Sequence, residues 1–198
     1  ISGCSLRILE LLKKKKPHVL YVKPDQSTLS AERKLQDNAV YGVLQEYARS
    51  GLIERMFIVD NMKLEEALGD VPIINYYNNL NHLLVSTMHM TNIYSNTKAI
   101  ESSFFGLHET SRISTFGMMK LDSTQENLFF DLESPRDKTI FYAINKESLE
   151  NDGSLFRKIK QQVKHFADEN LNVSYKIFST TYDDDYVYSM NYSSFIQK

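Results

Sequence analysis

Apolar and polar positions along this chain switch between helical and strand periods. Over 73–106, Leu80, Leu83, Leu84, Thr87, Met88 and Thr91 recur at the i, i+3, i+4, i+7 spacing of one buried helical face. This predicts a long amphipathic helix that runs out into the polar turn Asn96-Thr97-Lys98-Ala99-Ile100-Glu101. With strand and helix patterns on both sides, the helix reads as a spine between two α/β halves. Its two ends are where function is expected.

Ahead of the spine, Leu6, Ile8, Leu9 and Leu12 predict a short helix that ends at the lysine run 13–16 and Pro17. The apolar run 18–22 reads as a buried parallel strand. Ser27, Thr28 and Ser30 offer caps for a helix over 29–49, with Leu35, Ala39 and Val43 on one stripe, stopped by Ser50-Gly51. A second buried strand covers 56–59 and is closed by Asp60-Asn61, and a short helix over 62–68 follows. This order predicts a βαβ unit with a right-handed crossover.

Beyond the spine, 112–121 and 138–145 read as strands, the latter with Ile140, Tyr142 and Ile144 alternating, and 124–132 reads as a short amphipathic piece. Asp152-Gly153-Ser154 is expected to cap a helix through Asn170, with Leu155, Ile159, Val163 and Phe166 inward. Strands over 173–182 and 186–192 around Asp183-Asp184-Asp185 predict an antiparallel hairpin. The expected fold class is α/β: a partial parallel sheet, a long central helix, then a mixed sheet backed by helices. The expected divisions are 1–72, 73–95 and 96–198.

Composition narrows the partners. At 198 residues and 42% apolar content the chain can bury a proper core. A net charge of −2 gives no global pull toward nucleic acid, and direct nucleic-acid binding is not expected. The lone Cys4 fits a reducing compartment, so a cytoplasmic location is expected, and no apolar run is long enough to insert in a membrane. Ile1 lies just ahead of a helical pattern, so the sequence reads as beginning inside a fold.

Candidate chemistry is sparse. Neither phosphate-binding glycine motif occurs, and Gly3 before the first helix is the one remnant of such a loop. His82 and His89 sit about 10 Å apart by helical rise, too far for one ion, and no metal site is expected. Asp183–Asp185 suits a soluble loop tip, the lysine run suits a helix end, and Tyr182, Tyr186, Tyr188 and Tyr192 suit a sheet face. Asn78, Asn79 and Asn81 stand beside the carboxyl ends of two apolar strands, where open α/β sheets bind ligands. Asn there either reads a base edge or merely caps the helix.

The order of these parts resembles the tubulin/FtsZ superfamily. Lys23-Pro24, a helix entered through Glu32-Arg33, then Phe57-Ile58-Val59-Asp60-Asn61, the Asn-rich spine start and Asn96-x-Lys98-x-x-Glu101 arrive in sequence. In that superfamily the corresponding segments read K-P-F…R, I-x-x-P-N, a long central helix and N-x-D-x-x-D. The tail, from Thr139 through the helix opening at Leu155 to the strands at 173–182 and 186–192, is similar to the closing strand, helix, strand, strand. Ser2-Gly3-Cys4-Ser5 falls at the end of the family's G-G-G-T-G-[ST]-G loop.

The resemblance implies a filament-forming GTPase that self-associates head to tail, with GTP or GDP and Mg²⁺ in the full-length protein and no tight nucleotide binding by this chain. It implies Asn61 and Asn78 or Asn81 on the guanine and ribose side, Arg33 near the phosphates if one residue is inserted after Pro24, and Gly3 at the phosphate loop. Asn96, Lys98 and Glu101 become the loop that reaches the next subunit's nucleotide, with Glu101 the catalytic acid. Lys98 departs from the pattern by replacing the first acid. That leaves a non-enzymatic, tubulin-like scaffold as the alternative, with division, plasmid segregation or phage positioning as the implied roles. An unrelated α/β binding module is the third option.

Overall fold

The computed structural model describes residues 4–104 and 106–198. Gly3, and the role expected of it, lie outside the described residues. The chain runs α1 (Cys4–Leu12), β1 (His18–Lys23), α2 (Ala31–Arg49), β2 (Arg55–Asp60), α3 (Asn61–Leu68) and α4 (Tyr76–Asn96). It continues β3 (Glu101–Ser102), β4 (Ile113–Met119), β5 (Glu126–Leu128), β6 (Asp137–Asn145), α5 (Lys146–Asn151), α6 (Leu155–Phe166), β7 (Asn172–Thr180) and β8 (Tyr186–Ser193).

The strands form one mixed sheet in the order β1-β2-β4-β8-β6-β7-β3, with β5 on β4. The parallel part and the mixed part are joined where β2 pairs with β4, through Met56↔Ile113 and Phe57↔Ser114. Beyond that point the strands splay, and polar groups fill the seam. The Thr115 hydroxyl donates to the Ile58 carbonyl at 2.8 Å. Phe129 donates its N–H to Phe116 at 2.9 Å and accepts from Asp60 N–H at 2.7 Å, which satisfies these backbone groups, while the buried Ser114 hydroxyl at the junction finds no partner.

Helices cover both faces. On one side α3 and α4 bury Leu64, Leu80, Leu84 and Tyr94 against Val59, Phe116, Phe141, Tyr188 and Met190. On the other, α2 buries Tyr41, Leu44 and Ala48 against Tyr21, Met56 and Ile58, and α6 buries Leu155 and Ile159 against Ile140, Tyr142 and Ile144. The alternation in β6 therefore feeds two cores, not a core and solvent.

Three local expectations are corrected. β7 and β8 do not form a hairpin: β8 pairs antiparallel with β4 and β6, and β6 lies between it and β7. The loop after β7 crosses the end of β6, where Asn145 N–H donates to Asp185 at 2.8 Å and the Asn145 amide donates to the Tyr182 carbonyl. The helix expected to reach Asn170 stops at Phe166, because Ala167 is extended and Asp168–Leu171 form a bridged turn. The piece at 124–132 contains strand β5, whose Glu126 reaches across Gly117 to the buried Lys138 ammonium. A Cβ at Gly117 would lie 2.5 Å from Ser189 Oγ and 2.8 Å from Glu126 Oε1, so only glycine admits that carboxylate.

Candidate functional site

The candidate residues fall at the two ends of α4. At its start, β1 and β2 finish side by side, with Lys23 opposite Asp60. Each strand leads into a helix through a capping carboxylate or hydroxyl, which satisfies amides left free at a helix start. Asp25 accepts from Ser27 N–H and hydroxyl, both at 2.8 Å, and these bonds hold its carboxyl below the usual range. Ser30 caps α2 by accepting from Arg33 N–H at 3.4 Å, leaving the Arg33 side chain exposed in the first turn. Asp60 caps α3 by accepting from Met62 N–H at 2.8 Å, which places the half-buried Asn61 at that helix's first position.

On α4, Asn78 and Asn81 are exposed and Asn79 is half-buried, opposite the inward Leu80 and Leu84. None of the three caps the helix: the cap position is Asn75, which makes no side-chain capping bond. The rim also carries acids. The Glu65 carboxylate beside Tyr76 holds that phenol above its usual range, with a smaller push from Asp25. Lys23 is turned away, its ammonium 5.6 Å from the Tyr41 ring centroid and 5.5 Å from that of Phe130.

At the other end, Asn96 folds its amide back on the helix, donating to the Asn92 carbonyl at 2.8 Å. Thr97 does the same to the Ile93 carbonyl at 2.8 Å. The chain then joins β7. Ile100 N–H donates to the Ile177 carbonyl at 2.8 Å, Glu101 pairs with Ile177 in β3, and Ser103 N–H donates to the Tyr175 carbonyl at 3.0 Å. Lys98 and Glu101 are both exposed. Burial first, and the Glu101 charge second, raise the Tyr175 phenol. A carboxylate on a paired strand, presented outward, can orient a water or accept a proton from something outside the chain.

The two groups are not brought together. Asn81 and Asn96 lie near opposite ends of α4, 15 residues or about 22 Å apart at helical rise. A cleft of about 840 Å³ opens elsewhere, between the end of α2, the segment 133–136 and the chain's last residues, lined by Glu46, Arg49, Arg136 and Phe195 among others. Its arginines already serve other partners, Arg49 pairing with Glu46 and Arg136 lying over Phe195. Among the described residues no three His, Cys, Asp or Glu side chains converge as a metal site, and no helix is long and apolar enough to cross a membrane.

Sequence reasoning missed two features near these ends. Ile73 and Ile74 stand on the turn Ile73–Asn75 with their side chains in solvent, and two adjacent apolar residues after Pro72 were the available signal. Asp137 ties the segment after β3 to β6 by accepting from Ser111 hydroxyl at 2.9 Å and His108 N–H at 3.2 Å, which no local pattern announces.

No family model matches the sequence, and no curated protein matches it. Solved structures do. FtsZ of M. jannaschii, solved as an empty dimer, is similar at a TM-score of 0.62 and 11% identity, over 96% of this chain and 59% of that one. TubZ of Bacillus thuringiensis serovar israelensis, solved as GDP-form protofilaments, gives 0.62 and 14% over 97% and 60%. CetZ2 of Haloferax volcanii, solved as a GTPγS-bound protofilament, gives 0.63 and 12% over 96% and 60%. The fold is that of the tubulin/FtsZ superfamily. The chain spans 59–60% of the length of these three structures.

Proposed function

We propose that this chain is the distal part of a tubulin/FtsZ-like protein that binds GTP or GDP with Mg²⁺ and assembles head to tail into filaments. The observation that carries the reading is the split of the candidate site. Arg33 and Asn61, in the first turns of α2 and α3, go with Asn78 and Asn81 near the start of α4. Asn96, Lys98 and Glu101 stand at its far end, about 22–27 Å from those two at helical rise. Groups so separated cannot act on one ligand within one copy. End-to-end stacking brings one copy's exit loop against the next copy's strand edge, and such heterologous contacts build filaments. The TubZ and CetZ2 structures, both protofilaments with a guanine nucleotide form named, support this.

The residues suit part of a nucleotide. Asn61 and Asn78 or Asn81 offer both donor and acceptor to a base edge. Arg33, in the first turn of a 19-residue helix, offers a cation beside the positive end of the helix dipole. The phosphates have little else to hold them, so the chain alone is expected not to hydrolyse GTP. In a stacked pair Glu101 would anchor the attacking water.

The test is sedimentation and phosphate release with the full-length protein. Glu101→Ala is expected to assemble normally and turn over about 10²-fold more slowly. Rapid turnover by that variant would sink the catalytic role. The second reading, a non-enzymatic scaffold, is favoured by Lys98, an exposed cation three residues from Glu101. Lys98→Asp separates the two: faster turnover supports a slowed GTPase, whereas no turnover and no nucleotide binding in either form supports the scaffold.

A further inference from the structure

We propose that Ile73, Ile74 and Tyr77 form an apolar knob that seats on the Ile100–Phe104 surface of the next copy, an inference that rests on the head-to-tail reading above. Ile73 and Ile74 are 92% and 93% exposed and Tyr77 is 75% exposed, though each belongs to a residue type usually covered. The backbone under the knob is closed by a turn, Asn75 N–H donating to the Pro72 carbonyl at 3.1 Å, and Tyr77 meets Tyr76 edge-on at 5.1 Å between centroids. A projection on a closed turn leaves little backbone freedom to lose on docking.

The opposite end of α4 offers a matching surface. Ile100 is 64% exposed and Phe104 is 43% exposed, and pairing of β3 with β7 holds this segment in place. The Lys176 ammonium lies 4.9 Å from the Phe104 ring centroid. The two patches sit at opposite poles of one helix, so neither can cover the other within a copy, while one stacking contact covers both.

Charge points the same way. Asp70 and Glu65 flank the knob, while Lys63 on that side is already paired with Glu66 and Asp131. Lys98 and Lys176 flank the receiving surface, and among the described residues Lys98 has no ion pair. Glu101, exposed within the receiving surface, offsets one of these two lysines, so the acidic-rimmed knob meets a surface with one more cation than acid, whereas knob-to-knob pairing would set like charges together.

The test uses the full-length protein under conditions where wild type pellets with nucleotide. Ile73→Ser combined with Ile74→Ser is expected to raise the critical concentration for assembly at least about tenfold, and Ile100→Ser to do the same. Nucleotide affinity and thermal melting should stay unchanged, since the altered side chains are in solvent. A mixture of the two variants retains one sound junction and should yield dimers without filaments. Ile74→Cys with Ile100→Cys, in a Cys4→Ser background, should cross-link into a ladder of copies. Dimers formed by Ile74→Cys alone would mean knob-to-knob pairing and overturn the proposal, as would wild-type-like assembly of the serine variants. Wild-type protein that fails to pellet with every nucleotide tested, together with no ladder from the Ile74→Cys, Ile100→Cys variant, overturns the head-to-tail reading and this one with it.

Discussion

β1 and β6 are both apolar runs, yet they occupy opposite environments. β6 buries every residue from Asp137 to Ile144, because strands flank it on both sides and helices pack on both faces. β1 has β2 on one side only and buries Tyr21 alone, and Leu20 and Val22 stand at the surface. α1 beside it buries no residue. An apolar run therefore reports the capacity to be buried, and the number of neighbours decides whether it is. A parallel strand with an open edge and an uncovered apolar face is an unusual end to a sheet, and is the kind of edge another strand can extend.

If the second part of the sheet is self-sufficient, breaking its interior should cost most. Lys138 and Glu126 form an ion pair with both side chains buried, 3% and 8% exposed, and the Lys138 ammonium lies over the Phe166 ring at 3.9 Å. Burial pulls the Lys138 ammonium below the usual lysine range, against the pull of Glu126. Glu126→Ala leaves that cation unpaired and is expected to destabilise by about 3–5 kcal/mol in denaturant melts. Replacing both partners, Glu126→Leu with Lys138→Met, should recover most of the loss. A double variant no better than the single one would show that the pair is not the source of the cost.

Next comes Asp137 at the start of β6. Burial pushes its carboxyl up, but hydrogen bonds from His108 and Ser111 outweigh that and hold it below the usual range. A depressed carboxyl stabilises the fold above the unfolded value of about 3.9, and this contribution is lost as pH falls through the lower folded value. Asp137→Asn should cost about 1.5–3 kcal/mol at neutral pH and flatten the acid limb of the stability curve. An unchanged acid limb would place that slope on other carboxylates.

The junction between the two parts gives a smaller effect. Buried Gln45 on α2 accepts from Gln197 N–H at 2.6 Å and donates to the Gln197 carbonyl at 3.1 Å, tying the chain's last residues to the first part. Gln45→Ala is expected to cost about 1–2 kcal/mol and to loosen the tail, read as faster amide exchange at 195–198. Stability loss without faster exchange would mean the tail is held by Glu133 and Ser193 instead.

These same elements mark how far the sequence was legible. The long helix, β2 and the extent of α2 were readable from local signals such as the Ser30 cap. The α2 stripe of Leu35, Ala39 and Val43 faces solvent, however, and β1, expected to be buried, buries Tyr21 alone. The place of β8 was not readable, since partner choice depends on where the loop after β7 crosses, and Asp185 meets Asn145 across 40 positions. Nor were the Gln45–Gln197 latch, across 152 positions, or the close approach of Glu126 and Ser189 over Gly117. At the candidate site, the division of Asn78 and Asn81 from Asn96, Lys98 and Glu101 between the two ends of α4 could be read, but the pairing of Glu101 with Ile177, which presents it outward, required the fold.

The smallest expected effect bears most directly on the comparison. Val22 is 36% exposed on the open face of β1, and Val187 is 1% exposed in β8 against the α6 layer. Valine to threonine keeps shape and β-branching but adds a hydroxyl, so the change measures how dry each position is. At Val187 the hydroxyl enters a packed core, and Val187→Thr is expected to cost about 1–3 kcal/mol. At Val22 it meets water, and Val22→Thr should stay within about 0.5 kcal/mol. Denaturant midpoints at two protein concentrations decide the matter. A Val22 cost that approaches that of Val187 and grows with concentration would mean that copies cover β1 in solution. A cost independent of concentration would mean that the chain itself shields this face, and the contrast between the two strands would then lie in their edges alone.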